Sequence, residues 1–512
     1  MRTTPSEYDY IVVGAGSAGC VVARRLVDAG HCVLLIENGR EDHNPAIHDP
    51  GRMWELWESP DDYAYRTEPQ RDAAGTQVFW PRGKVLGGSS ALNGMIYVRG
   101  HRSDYDAWAR QGAAGWSFDE VLPYFKRSED FEGGTSPHHG VGGPLPVTRN
   151  HAPNPVSTAF VEACTEAGIP HNDDCNGTEI LGAGLLHRNI RDGRRVSAWV
   201  AFVQPIIGNP LLTVLTSTLV TRVVLDRGRA VGVEVARNGK HTTIRCGTEV
   251  VLSAGAIGSP QLLMLSGMGP ADDLRRLGIA VEADLPGVGA NLHDHLLAPI
   301  VFESALPVPP GTANKLEAQF FAKTDPSLPA PDLQPLMSHA PLPVNGYTVP
   351  EEGHGYTVLA GDIRPLSRGR LWLRSTDPAR PPALDPQYLA DPTDLATMVA
   401  AVKLVREIGA RPALSTWRSR EIAPGPGVRT DDELAAYIKQ TLLSYHHQVG
   451  TCRMGAADDA TAVVDPRLRV RGVTGLRVAD ASVMPTVPSG NTHAPAVMIG
   501  ERCADFLVGE RA

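Results

Sequence analysis

An α/β domain carrying a second, α+β part is the fold class predicted for this chain. Three observations predict it. Tyr10–Val13 is an apolar run that ends on Gly14, Gly16 and Gly19 and leads into a helix-compatible stretch, 18–29. A second apolar run, Cys32–Ile36, ends on Glu37, 18 residues after Gly19. Further on, strand-like runs at 212–216, 219–225, 230–235 and 249–253 have the spacing of an antiparallel meander that feeds back to the first sheet.

The glycines carry the first functional reading. Gly14 permits the tight strand-to-helix turn, Gly16 lets the backbone approach a pyrophosphate, and Gly19 lets the helix pack close to the strand. The phosphates then face the helix N-terminus at Ser17 and Ala18, where free N–H groups and the dipole favour anions. A carboxylate at Glu37 is placed to accept hydrogen bonds from a ribose diol. Strand, glycine turn, helix and acidic strand end together predict a Rossmann-type dinucleotide site.

Composition narrows the class. A chain of 512 residues holds one large or two to three ordinary domains. The net charge of −9, with no basic face, argues against nucleic acid. The seven cysteines (20, 32, 164, 175, 246, 452 and 503) form no C-x-x-C pair and suggest reduced thiols in a cytoplasmic protein. No signal-like segment precedes the first strand and no apolar run approaches the length of a membrane span. With 42% apolar residues the chain has material for a large core, and its 52 glycines and 42 prolines imply many turns.

The remaining elements follow in order, without tandem repeats. Residues 40–150 are rich in Gly, Pro and aromatics and have few periodic segments. Residues 155–168 read as a helix with a stripe of Phe160, Val161, Cys164 and Ala167. Segment 305–355 holds many prolines and is expected to be loop-rich, a lid or pocket wall. Residues 393–410 and 431–443 are helix-compatible, and 476–479 is a short strand. A last helix is expected over 494–508, capped by Asn491 or Thr492, with Pro495 suited to its first turn.

Three further segments carry a resemblance. Residues 83–94 read GKVLGGSSALNG, residues 255–269 read GAIGSPQLLMLSGMG, and residues 445–455 read YHHQVGTCRMG, followed by VDP at 464–466 and VADASVMP at 478–485. With the glycine turn, this closely resembles the glucose–methanol–choline (GMC) oxidoreductases, from about residue 8 to 507 and in the expected order. The resemblance implies FAD as cofactor and a discontinuous, Rossmann-type FAD-binding domain over 1–148, 197–298 and 445–512. The inserts, 149–196 and 299–444, are then the substrate domain, built on an antiparallel sheet. It implies that the 83–94 segment, with Val85, Asn93 and Gly94, passes along the isoalloxazine ring. Val220 falls on a backbone contact to adenine, and Asp480 near the ribityl chain and pyrophosphate. Some relatives attach FAD through a histidine just before the asparagine; Leu92 stands there, so non-covalent FAD is expected.

The resemblance also assigns the chemistry. A neutral imidazole near pH 7 is suited to take the hydroxyl proton of an alcohol. His447 falls on the family's base position, and His493 is read as its hydrogen-bonding partner and a flavin neighbour. The roles of the two are left shared or reversed. His446 is a candidate substrate contact. A metal site from His293, His295, His446 and His447 is set aside, because Asn-Leu-x-Asp-His is a structural loop in the family. No Gly-x-Ser-x-Gly precedes a suitable helix, which excludes a serine hydrolase. The expected activity is oxidation of a primary alcohol to the aldehyde by hydride transfer to flavin N5, with oxygen or a quinone or dye as acceptor. Choline, pyridoxine and sugar alcohols stand as alternative substrates, and a non-catalytic flavin-binding protein as the alternative class. Choline requires a carboxylate and an aromatic cage, and neither is assignable in 305–355.

Overall fold

Strands Leu212–Leu215, Val33–Ile36, Tyr8–Val13, Lys240–Leu252 and Leu476–Val478 lie side by side, with every neighbouring pair parallel. In chain order this is third, second, first, fourth, fifth, the arrangement of a Rossmann-type sheet. It is seen in a computed structural model that describes residues 8–311 and 313–510. Val33–Ile36 is buried along its whole length and Tyr8–Val13 nearly so, which explains why both read as unbroken apolar runs. The helix Ser17–Asp28 buries one face on this sheet and packs along the last helix, His493–Gly509. Two glycines set how close the layers come. A Cβ at Gly19 would lie 1.9 Å from the Gly14 carbonyl oxygen, and one at Gly500 would lie 2.7 Å from the Ala18 carbonyl oxygen.

The meander is present, and its last strand is longer than expected. Leu219–Asp226, Arg229–Arg237 and the first half of Lys240–Leu252 pair antiparallel before the second half turns parallel to Tyr8–Val13. The sequence reading began that strand at 249. Residues 240–245 are polar apart from Ile244 and mostly exposed, so no apolar pattern marks them, yet they complete the ladder with Arg229–Arg237.

A second sheet stands over the first. Its order is Arg418–Ala423, Leu296–Ser304, Gly355–Asp362, Leu336–Ser338, Leu316–Phe321, Gly182–Leu185, all antiparallel, with Leu443–Ser444 also on Leu296–Ser304. Two expectations change here. The boundary drawn at 298/299 cuts Leu296–Ser304, a strand that belongs to the second sheet throughout. Segment 305–355 is not simply loop, because it contributes Leu316–Phe321 and Leu336–Ser338. Both strands are buried on both faces, so the alternation that marks a half-buried strand is missing.

The helices Pro155–Glu166 and Pro392–Gly409 cover the far face of this sheet. Each starts on a side-chain cap followed by proline. Asn154 accepts the Val156 N–H and Asp391 accepts the Thr393 N–H, contributing about 1 kcal/mol each. The helix Asp431–Thr441 opens on a capping box between Thr430 and Glu433. All seven cysteines are unpaired. Among the described residues no helix is long and apolar enough to cross a membrane.

Candidate active site

Between the two sheets lies a cavity of about 830 Å³. From the first sheet it is lined by Gly14, Gly16, Ser17, Ala18, Glu37 and Val220. From the later segments it is lined by Asn93, Gly94, His446, His447, Asp480 and His493. Gly19 and Val85 are not among its lining residues. Gly19 sits under the Gly14 carbonyl, and Val85 packs into a small apolar cluster with Ile47, Leu56 and Leu92.

The glycine turn is built for close approach. Gly14 has φ +102°, and a Cβ there would lie 2.4 Å from the Ser253 carbonyl oxygen. The first turn of Ser17–Asp28 therefore opens on the cavity with its N–H groups. The Glu37 carboxylate accepts N–H groups of Ala15 and Gly39 at 3.0 and 2.8 Å, which fixes it at the strand end. Burial pushes its pKa up to about 7, against the pull of those donors. Asp480 accepts from Gly255 N–H, Ser259 Oγ and Ser482 N–H at 2.9, 2.5 and 2.8 Å, tying Leu476–Val478 to the helix Gly255–Leu265. A cavity with a glycine cradle, a helix N-terminus and an acidic strand end fits a dinucleotide.

Asn93 is held from behind. Its Oδ1 accepts the Met95 N–H at 3.0 Å and the Arg195 guanidinium at 2.8 Å. Arg195 is buried and also donates to the carbonyls of Ile47, Ser90 and Asn93. No carboxylate pairs with it among the described residues, and burial alone pushes its pKa down to about 9. It is a fixed buried cation behind the cavity wall. The sequence reading did not single it out, since one arginine in the run Arg191–Arg195 looks like its exposed neighbours.

The histidines rearrange the expectation. His447 Nε2 receives a hydrogen bond from the Asn491 amide at 3.2 Å. His447 Nδ1 lies 3.0 Å from His295 Nδ1. A ring whose Nε2 accepts carries its proton on Nδ1, so His447 donates to His295 and keeps a lone pair on Nε2. The partner of His447 is thus Asn491, two residues before the expected His493. Asn491 had been read only as a helix cap, and no side chain caps that helix. His493 instead meets Ser17 Oγ at 2.9 Å, in the first turn of Ser17–Asp28.

Further side chains lock this arrangement. Asn491 Oδ1 accepts from Gln334 at 3.0 Å, and Gln334 also donates to Gln319. Buried Asp294 takes the His447 N–H at 2.7 Å, Tyr388 Oη at 2.5 Å, Gln448 Nε2 at 2.8 Å and the Ser444 hydroxyl. Tyr445 stacks on His447 with ring centroids 5.2 Å apart. His446 has φ 66°, a left-handed conformation held where its carbonyl accepts from half-buried Arg82. Its ring packs edge-on against Trp57 at 5.2 Å. Burial first, then the charges of His295, His446 and Arg82, hold the His447 pKa well below the usual imidazole value. His293 and His295 have other duties than a metal. His293 Nδ1–H donates to the Asn291 carbonyl and Nε2 accepts the Val487 N–H, while His295 backs His447.

With this geometry in hand, the chain compares closely with known proteins. The N- and C-terminal domain patterns of the GMC oxidoreductases match residues 8–297 and 365–500. The chain belongs to the GMC oxidoreductases. It is 42% identical to human mitochondrial choline dehydrogenase over 538 residues, covering 99% of this chain and 90% of that one. It is 40% identical to an oxygen-dependent choline dehydrogenase of Rhizobium johnstonii, covering 99% and 96%. Its fold superposes on the crystal structure of pyridoxine 4-oxidase from Mesorbium loti with a TM-score of 0.94 at 36% identity, covering 97% and 98%. As a GMC oxidoreductase it is an FAD-dependent enzyme acting on CH–OH donors.

Proposed function

We propose that this GMC oxidoreductase oxidises a primary alcohol to the aldehyde, with His447 as the base and Asn491 as its partner. The observation that carries the reading is the tautomer of His447, a histidine that lines the cavity: its proton sits on Nδ1 toward His295, and its unprotonated Nε2 is held at rest by the Asn491 amide. When bound, FAD supplies the two-electron acceptor for the hydride leaving the carbinol carbon. The chain does the rest. His447 Nε2 takes the hydroxyl proton, and the carbon–oxygen bond becomes a carbonyl as hydride and proton leave. Before the reaction the Asn491 amide holds Nε2 and Asp294 holds the His447 backbone N–H, and the Asn491 contact gives way as Nε2 takes the proton. Asn93, fixed by Arg195, presents its amide to the same cavity. The division of labour is part of this reading, with cofactor on the first sheet and substrate beneath the second. So is a cytoplasmic location, which rests on the seven unpaired cysteines.

The cofactor side of the reading yields two expectations. Glu37→Ala is expected to weaken FAD binding by roughly 1.5–3 kcal/mol, the worth of hydrogen bonds to a charged group. Flavin-fluorescence titration of the cofactor-stripped protein measures this, and an unchanged dissociation constant removes Glu37 from the ribose. Second, Leu92 occupies the position of a linking histidine and is buried against Val85. Acid precipitation is therefore expected to leave the flavin in the supernatant. Yellow colour that stays with the washed pellet defeats the non-covalent assignment.

The activity itself is tested by adding a primary alcohol to the yellow enzyme without oxygen. Bleaching of the flavin is expected. A flavin that no alcohol bleaches would support a binding protein instead.

A further inference from the structure

The cavity wall nearest the base is aliphatic, and its chemistry differs from what the choline-oxidising relatives would suggest. Ile96, Leu297, Leu316, Leu336, Leu359 and Tyr445 belong to one buried cluster and all line the cavity. The sheet register puts them on one face. Leu336 is directly opposite Leu359, and Leu359 is opposite Pro299, so three neighbouring strands present one apolar row. The next row pairs Leu297 with Gly361. The Tyr445 ring occupies the place of a side chain at Gly361, where a Cβ would lie 2.4 Å from Tyr445 Oη. Tyr445 in turn stacks on His447, so the apolar row runs up to the base.

A quaternary ammonium needs a carboxylate or open aromatic faces. The lining carboxylates are Glu37, Asp62 and Asp480. Glu37 and Asp480 are tied to the nucleotide-binding turns, and Asp62 is spent on the N–H groups of Glu58, Ala64 and Arg82. The carboxylate nearest in sequence to the wall is Glu317, beside Leu316. It points the other way, to the Asn154 N–H at 2.7 Å and the Ser157 hydroxyl at 3.0 Å. The aromatic rings lining the cavity are engaged within the chain: Tyr65 stacks on Tyr63, Tyr445 on His447, Trp57 packs against Trp54 and His446, and two rings lie under the chain's own cations. Arg66 lies over Phe79 at 5.3 Å and Lys84 over Tyr63 at 5.5 Å. Half-buried Arg82 adds a third positive charge against His446.

We infer that the substrate is a neutral primary alcohol with an apolar, aliphatic body, and that the pocket rejects quaternary-ammonium alcohols. The inference rests on the alcohol-oxidation reading above and names its substrate class. Apolar area buried along the leucine row drives selection, and the local positive charge sets the rejection.

A matched pair tests it, namely choline and 3,3-dimethylbutan-1-ol, which has carbon in place of the charged nitrogen. Anaerobic flavin reduction in the holoenzyme is expected to favour the neutral compound at least 100-fold in second-order rate. Across ethanol, butanol and hexanol the same rate is expected to rise about fourfold per methylene, the value of one buried CH₂. Leu359→Ala is expected to flatten that rise. A binding readout independent of turnover uses two compounds that cannot be oxidised. By calorimetry, 2-methylbutan-2-ol is expected to bind and tetramethylammonium not to. Flavin reduced by choline as fast as by its isostere, or tetramethylammonium bound more tightly, overturns the substrate class and leaves alcohol oxidation standing. Flavin unbleached by every alcohol, choline included, overturns both.

Discussion

Replacing His447 with alanine is expected to slow flavin reduction by about 10²–10⁴-fold, the usual contribution of a positioned general base, with FAD still bound. Cofactor retention is expected because Gly14, Gly16, Ser17 and Glu37 lie on the first sheet and its helix, away from the turn that carries His447. Anaerobic stopped-flow with the best alcohol separates the rate from the binding step. Asn491→Ala is expected to slow the same step by a smaller factor, since the imidazole loses one hydrogen bond and not its basic nitrogen. His493→Ala acts elsewhere in this geometry, on the Ser17 contact, and is expected to disturb cofactor binding more than the rate. His446→Ala is expected to alter KM at most, because its ring packs on Trp57. Because the His447 pKa is held low, the base stays neutral on acidification, and the reduction rate is expected to be flat from pH 8 to 6. If His447→Ala reduces at the wild-type rate while His446→Ala is inactive, the base has been assigned to the wrong histidine.

The second large effect is on stability. Five histidines around the site, three buried (His293, His295, His447) and two half-buried (His446, His493), have their pKa values pushed down, His295 and His446 to about 3, His493 to about 4, and His293 and His447 well below the usual value. Burial is the leading cause in each case. The unfolded chain titrates near pH 6.5, so below that value it binds more protons than the folded chain. The stability these groups contribute is complete above about pH 6.5 and is lost as pH falls toward their folded values. By pH 5.5 the loss is on the order of 1 kcal/mol per histidine, several kcal/mol together, against a typical total of about 5–15 kcal/mol. Buried Glu37, Asp294, Asp362 and Asp480 are pushed up and work in the opposite sense, so the parent's net change mixes both and a single-histidine variant is what reads the histidine part. Denaturant midpoints of the holoenzyme at pH 8 and 5.5 measure the net effect. His293→Gln isolates one term, because His293 is clamped neutral between the Asn291 carbonyl and the Val487 N–H and lies outside the proposed chemistry. That variant is expected to be less stable at pH 8 and to lose less on acidification. His293→Gln losing as much stability on acidification as the parent would refute the account.

The sequence by itself determined what depends on local chemistry. The glycine turn, the acidic strand end at Glu37 and the helix after the turn follow from spacing, since each needs only a few consecutive residues to be in place. The helices at 155, 392 and 431 carry their own caps and were placed to within two residues at each end. The motif segments at 83–94, 255–269 and 445–455 carried the family, and the comparisons agree. The tertiary structure decided what depends on residues far apart in the chain. Both His493 and Asn491 lie in one turn after Gly490, and their spacing does not say which of them faces His447. Gly490, at φ +153° against Val98, sets the chain so that Asn491 reaches across and His493 starts the last helix toward Ser17. His295 lies 152 residues before His447 and Gln334 lies 157 before Asn491, so no local pattern announces either contact. The direction of Glu317 is of the same kind. A carboxylate beside a pocket leucine reads as a cation site until the strand pleat turns it to the far face of the sheet, because successive side chains on a strand point to opposite sides.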